Sequence, residues 1–217
     1  MTRRNINNIV CEKVIMISLK KISGVIIKSF VNQGIINDEE KDIYQFGLNQ
    51  LMFFIVNMIS SIAIGLIAEM LAECIVFTLA YMLLRRYSGG YHARTSVRCY
   101  FLSVCLMIVV LKIINITISN EYYHIVFVVL LLSGLVIILK APIESENKPL
   151  NDAEYEKYRK KSLVIMAVEI IVAICSFFFN KTISVCTAFA VIIAACMLLV
   201  SLGTDIIKRK RGLISSQ

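Results

Sequence analysis

The chain has 217 residues, 58% of them hydrophobic, with a mean hydropathy of +0.77 and a formal net charge of +8. A soluble domain is nearer half apolar, so these values argue against a water-exposed globule. In so apolar a chain the positive balance points to membrane topology and anionic lipid rather than to nucleic acid, and seven cysteines without a C-x-x-C pair argue against a disulfide framework or a zinc site.

Met1 to Asn8 is polar and basic, so no cleavable signal peptide is expected. From Ile9 to Ile36 the apolar residues are interrupted by lysines, and Lys13, Lys20 and Lys28 recur at spacings of seven and eight. That spacing puts them on one helical face, which predicts an interfacial amphipathic helix over residues 1–36 with its lysines toward lipid headgroups. Asn37 followed three residues later by Glu40 predicts a capping box ahead of the first spanning helix. Six apolar segments follow, at Ile43–Ala68, Met70–Leu84, Tyr100–Ile118, Tyr123–Leu139, Leu163–Phe179 and Ile183–Leu202. A span needs about 20 apolar residues, so the second and fifth are short.

The connections alternate in charge. Residues 1–42, 85–98, 140–161 and the tail from Lys208 hold 21 of the 23 Lys and Arg, while the opposite set of connections holds only Lys181. The positive-inside rule then predicts six transmembrane helices with both termini cytoplasmic. The fold class expected is an all-α polytopic membrane protein, one integral membrane domain over 1–217 with its six-helix bundle at 43–202 and a cytoplasmic loop at 140–161.

The stretch most able to carry chemistry is Arg85-Arg86-Tyr87-Ser88-Gly89-Gly90-Tyr91-His92-Ala93-Arg94-Thr95-Ser96-Val97-Arg98-Cys99, on the cytoplasmic side. A cysteine attacks as thiolate, and Arg94, Arg98 and His92 favour an anion in a segment that has no acidic residue. A histidine can accept a proton and return it to a leaving amine, and backbone N–H groups near Gly89-Gly90 can stabilise an oxyanion. Geometry restricts the idea. In an unbroken helix, positions 92 and 99 would lie about 10.5 Å apart along the axis, at ~1.5 Å per residue. The segment 85–99 is therefore expected not to form one straight helix: either the chain turns between the two residues, or the partner of Cys99 comes from elsewhere. Spacing alone leaves open whether the two residues act together or merely lie seven apart.

That stretch resembles the signature of the accessory gene regulator B family, bacterial membrane peptidases that process quorum-sensing propeptides. A second segment, Ala141-Pro142-Ile143-Glu144-Ser145-Glu146-Asn147-Lys148-Pro149-Leu150, is similar to a loop of the same family. The resemblance implies a catalytic pair of His92 and Cys99, with Arg85, Gly89, Gly90, Arg94, Arg98 and Lys148 shaping the site or binding substrate. It implies a cysteine endopeptidase acting on a short amphipathic propeptide with an acidic C-terminal tail. The tail would be removed, and the signal segment cyclised to a thiolactone or lactone through a thioester acyl-enzyme. It also implies a homodimer and no cofactor. Basic partners for an acidic tail would include Arg86, Lys157, Arg159, Lys160 and Lys161 besides those already named.

Lys112 and Glu169 are charges within apolar segments, where such residues are costly and usually face the bundle interior. They are expected to pair, or Lys112 to snorkel outward, and a structural ion pair is favoured over a proton pathway. The rival reading of the whole chain is a small transporter or channel component, with Lys112 and Glu169 as its functional charges. Tyr122-Tyr123 and Phe177-Phe178-Phe179 read as aromatics of the outer interface. No H-E-x-x-H, phosphate-binding glycine loop or G-x-S-x-G is present.

Overall fold

The computed structural model describes residues 21–90, 95–143 and 151–214. Residues 21–32 form α1, and a 3-10 turn at Asp38–Glu40 leads into α2 (Lys41–Ile67). Then come α3 (Leu71–Ser88), α4 (Ser96–Ser119), α5 (Tyr123–Lys140), α6 (Asp152–Ser176) and α7 (Lys181–Ile214). The described residues contain helices and no strand.

Each of the six apolar segments falls largely within one of the helices α2 to α7. Four helices, α2, α4, α5 and α7, are long and apolar enough to cross a membrane. The other two carry more charge. The 18 residues of α3 include Glu73, Arg85 and Arg86, and α6 opens on a charged half before its apolar run from Leu163.

Local chemistry sets where the helices begin and end. Gly34, at φ +70°, closes α1, and Ile35 N–H donates to Phe30 C=O at 3.0 Å. At the expected Asn37–Glu40 start the structure shows a backbone bond, Glu40 N–H to Asn37 C=O at 3.1 Å, within the 3-10 turn. Proline disfavours a helical residue before it, and Ala141, preceding Pro142, is extended at φ −84°, ψ 148°, so α5 stops there. Asn151 and Glu154 form a capping box that starts α6. Asn180 Oδ1 accepts from the N–H groups of Thr182 at 3.0 Å and Ile183 at 3.2 Å, which starts α7.

The described residues divide into two compact units. One holds α1, the 3-10 turn, α2 as far as Ala63 and α4 as far as Leu106. Within it Ser23 Oγ donates to Asn49 Oδ1 at 2.6 Å, and Ile27 and Ile36 are buried while Lys21 and Lys28 are exposed. Much of α2 is uncovered, with Ile43, Phe46, Leu51 and Ile59 all exposed.

The other unit runs from Ile64 through α3, and from Met107 through α7. Its centre is α7, on which α3, α5 and α6 all pack, with α3 also packed on α6. Small residues permit the close approach: Ser184, Cys186, Thr187, Ala188, Ala190, Ala194 and Ala195 are buried on α7. Membrane helices pack in this way because lipid gives apolar faces no reason to leave it, so tight van der Waals contact must hold them together. Ser184 Oγ donates to Ala173 C=O, which ties α7 to α6.

The expected ion pair does not form. Both carboxylate oxygens of Glu169 are buried without a hydrogen-bond partner, and Lys112 is exposed. The reason is the register of α4: its buried stripe is Met107, Val110, Leu111, Ile114 and Thr117, and Lys112 lies off it. Far from the arginine-rich segment along α5 and α6, Phe177 packs edge-on to Tyr123 and Phe127, each at 5.4 Å. Lys181 lies 5.0 Å from the Tyr123 ring and 3.8 Å from Glu121.

Candidate active site

The stretch 85–99 is divided and is not one straight helix: α3 ends at Ser88 and α4 begins at Ser96. Its two flanks are built differently.

On the first flank, Gly89 caps α3, donating its N–H to Arg85 C=O at 3.2 Å. Gly89 sits at φ +75°, ψ −154°, a region that glycine alone adopts readily. A Cβ there would also run into the carbonyl oxygen of Ile143. Ile143 N–H donates to Ser88 C=O at 3.1 Å. The two segments singled out in the sequence, one opening at Arg85 and the other at Ala141, are thus in direct backbone contact. Gly90, at φ +133°, is buried, and a Cβ on it would lie 3.0 Å from Arg85 Nη1 and 3.6 Å from Met197. The Arg85 guanidinium stands 5.7 Å from the centre of the Tyr81 ring, one turn earlier on α3. At Gly89 a side chain would intrude on packed backbone, whereas at Gly90 the close neighbour is the tip of the Arg85 side chain and the positive φ is what favours glycine.

On the second flank, Thr95 starts α4. Its Oγ1 accepts from Arg98 N–H at 3.3 Å, and its carbonyl accepts from Cys99 N–H at 3.1 Å. Cys99 is consequently held in the first turn of α4, where the positive end of the helix dipole lies. Its side chain is half-buried and lines a groove of about 170 Å³. The other walls are Gln50, Phe53, Phe54 and Asn57 from α2, and Tyr100 and Ser103 from α4. Ser103 Oγ donates to Cys99 C=O at 3.0 Å, and the Tyr100 and Ser60 hydroxyls share a hydrogen bond at 2.8 Å. Asn57 Oδ1 is buried and has no hydrogen-bond partner.

Of the site residues expected from the sequence, Arg85, Gly89 and Gly90 come together on the first flank, and Arg98 and Cys99 lie on the second, Arg98 exposed. His92, Arg94 and Lys148 lie outside the described residues. Two polar groups of the groove were missed in the sequence, Gln50 and Asn57. Their signal was present: seven apart, they share a helical face on α2 with Phe53 and Phe54 between them. The other described cysteines offer no comparable setting. Cys74 and Cys186 are buried in the second unit, and Cys105, Cys175 and Cys196 are exposed on apolar helices. Among the described residues no group of His, Cys, Asp and Glu is placed to hold a metal ion.

A family model described as Accessory gene regulator B matches residues 19–201. Among curated proteins the chain is similar to an AgrB-like protein of Clostridium perfringens strain 13, 27% identical, covering 73% of this chain and 77% of the relative. An AgrB-like protein of Listeria innocua is 28% identical over 56% of this chain and 58% of the relative. The accessory gene regulator protein B of Staphylococcus intermedius is 22% identical over 59% of this chain and 68% of the relative. No solved structure matches.

Proposed function

Because the chain belongs to the accessory gene regulator B family, we propose that it is a membrane cysteine endopeptidase that matures a short quorum-sensing propeptide. The observation that carries this reading is Cys99: a half-buried thiol in the first turn of α4, lining a groove with both apolar and amide walls. A peptide carbonyl entering that groove would meet the Cys99 sulfur beside the start of a helix.

In the proposed reaction the Cys99 sulfur adds to the carbonyl joining signal segment to acidic tail. His92 takes the thiol proton and returns it to the tail's leaving amine, so the C–N bond breaks and a thioester remains on Cys99. A thiol or hydroxyl of the propeptide then attacks the thioester carbonyl. The C–S bond to Cys99 breaks, the thiol is restored and the product is a thiolactone or lactone. Cyclisation outruns hydrolysis only where water is kept from the acyl-enzyme, and a site at a membrane boundary meets that need. Gly89 and Gly90 brace the segment before His92, and Arg85, Arg94, Arg98 and Lys148 supply positive charge for the acidic tail. No cofactor takes part in this scheme.

The topology proposed with it has six spans, α2 to α7, both termini in the cytoplasm and the active site at the cytoplasmic face of a bacterial cell membrane. What supports it is the charge bias of 21 of 23 Lys and Arg on one set of connections, together with the matching of all six apolar segments to helices. The working unit is taken to be a homodimer.

The test is reconstitution of the full chain in liposomes with a candidate propeptide, read by mass spectrometry. Wild type and Cys105→Ala should release the tail and form a cyclic product. Cys99→Ala and His92→Ala should release none. Tail release by a folded Cys99→Ala variant would end the proposal.

A further inference from the structure

A second polar cleft, of about 220 Å³, lies where α3 ends and α6 begins. It is lined by Arg86, Tyr87, Glu154, Lys157, Tyr158 and Lys161. Arg86 and Lys161 both lie over the Tyr87 ring, at 5.8 Å and 5.1 Å, and Tyr158 packs against the same ring at 5.7 Å. Lys157 and Lys161 are four residues apart on α6, so two like charges neighbour each other there. None of the three cations has an ion pair among the described residues. The one carboxylate of the cleft, Glu154, accepts instead from Asn151 N–H at 3.5 Å. Three positive groups are thus gathered around two phenol rings against one carboxylate, and an anion seated among them would balance the excess.

We propose that this cleft is a binding site for the phosphate of an anionic phospholipid of the inner leaflet. Two features favour a lipid over an acidic peptide. The first is level: α3 changes from apolar to charged at Arg85, α6 changes from charged to apolar after Lys161, and Tyr87 meets Tyr158 at that change. With α3 and α6 read as spans, the cleft sits at the headgroup boundary, where basic pockets between helices recognise lipid phosphates. The second is what lies one turn deeper. Leu83 precedes Arg86 by three positions and is 57% exposed; Val164 follows Lys161 by three and is 62% exposed. Each shares a helical face with its cation, so charge and uncovered apolar surface run together along both helices, matching a molecule with a phosphate head and acyl chains. The site rests on the six-span topology proposed above and uses none of the catalytic groups; its cations are among those the sequence offers to an acidic tail, so the peptide competition below separates the two occupants.

The experiment takes the full chain in bilayers of phosphatidylcholine containing a minority of phosphatidylglycerol, and counts retained lipids by native mass spectrometry. Wild type should retain phosphatidylglycerol above its share of the bilayer. Arg86→Gln, Lys157→Gln and Lys161→Gln together should lose that enrichment, by about five-fold for each charge removed. All three side chains are exposed, and single Lys157→Gln provides the reading should the triple variant misfold. A second set, Lys112→Gln with Lys181→Gln, which removes charge away from the cleft and from the N-terminal helix, should keep the enrichment. Unchanged enrichment in the cleft variants, or equal loss in the second set, would overturn the proposal. So would displacement of the lipid by glycerol phosphate in solution, which assigns the cleft to free phosphate, or by an oligoglutamate peptide, which assigns it to an acidic chain.

Discussion

The two flanks of the segment between α3 and α4 differ in what they can tolerate. At Arg85–Gly90 the backbone itself is the packed surface: Ser88 is fully buried, Gly89 lies against the Ile143 carbonyl and Gly90 against Arg85 and Met197. At Thr95–Ser103 a half-buried thiol faces an open groove whose walls include an amide oxygen with nothing to bind. A nucleophile needs both qualities, a fixed chain leading to it and free space in front of it. One stretch of sequence divides them between its two ends.

The sharpest way to break that contrast is Gly89→Ala. The φ, ψ pair of Gly89 costs about 1–3 kcal/mol for a residue with a Cβ, and intrusion on packed backbone adds about 1–3 kcal/mol. Thermal unfolding of the purified variant should show a loss near the sum of the two, with propeptide cleavage falling along with folded yield. A variant as stable as wild type would mean that the Ser88–Ile143 contact does not hold this flank.

On the other flank the expected loss is smaller. Thr95→Ala removes the side-chain cap on Arg98 N–H, a change worth about 1 kcal/mol. Hydrogen exchange should quicken at the first-turn amides of α4, Arg98 and Cys99, and stay unchanged at Ile143. Quickening at both places would show that the two flanks unfold as one piece.

The sequence made some of this legible and hid the rest for a physical reason. Periodicity and charge are local properties, so all six apolar segments fall largely within helices, and the expectation that 85–99 is not one straight helix agrees with α3 ending at Ser88 and α4 beginning at Ser96. Which helix faces meet is decided by packing between residues far apart in the chain. Nothing local to Ser88 announces Ile143, although each belongs to a segment singled out independently. Lys112 and Glu169 were visible as charges in apolar runs, but α4 turns Lys112 off its buried stripe, so the expected pair is absent. Gln50 and Asn57 are two of several polar residues on α2, with Gln45 and Asn49 beside them, and only the packing of α4 shows which of these face a groove.

Asn57 gives the finest measure of the open flank. A buried amide oxygen without a partner costs about 1–3 kcal/mol, a penalty that packing alone gives no reason to retain. If a substrate N–H supplies the missing donor, Asn57→Leu should leave thermal stability unchanged or raised while weakening propeptide cleavage. One neutral hydrogen bond contributes about 0.5–1.5 kcal/mol, so the fall should be about two- to ten-fold. It should appear in KM rather than kcat where the contact forms on binding, and in kcat where it forms only as the carbonyl is attacked. Asn57→Gln, keeping the amide, should recover part of the loss. A stability gain with cleavage untouched would separate the groove from the substrate and leave Cys99 to be reached from another direction.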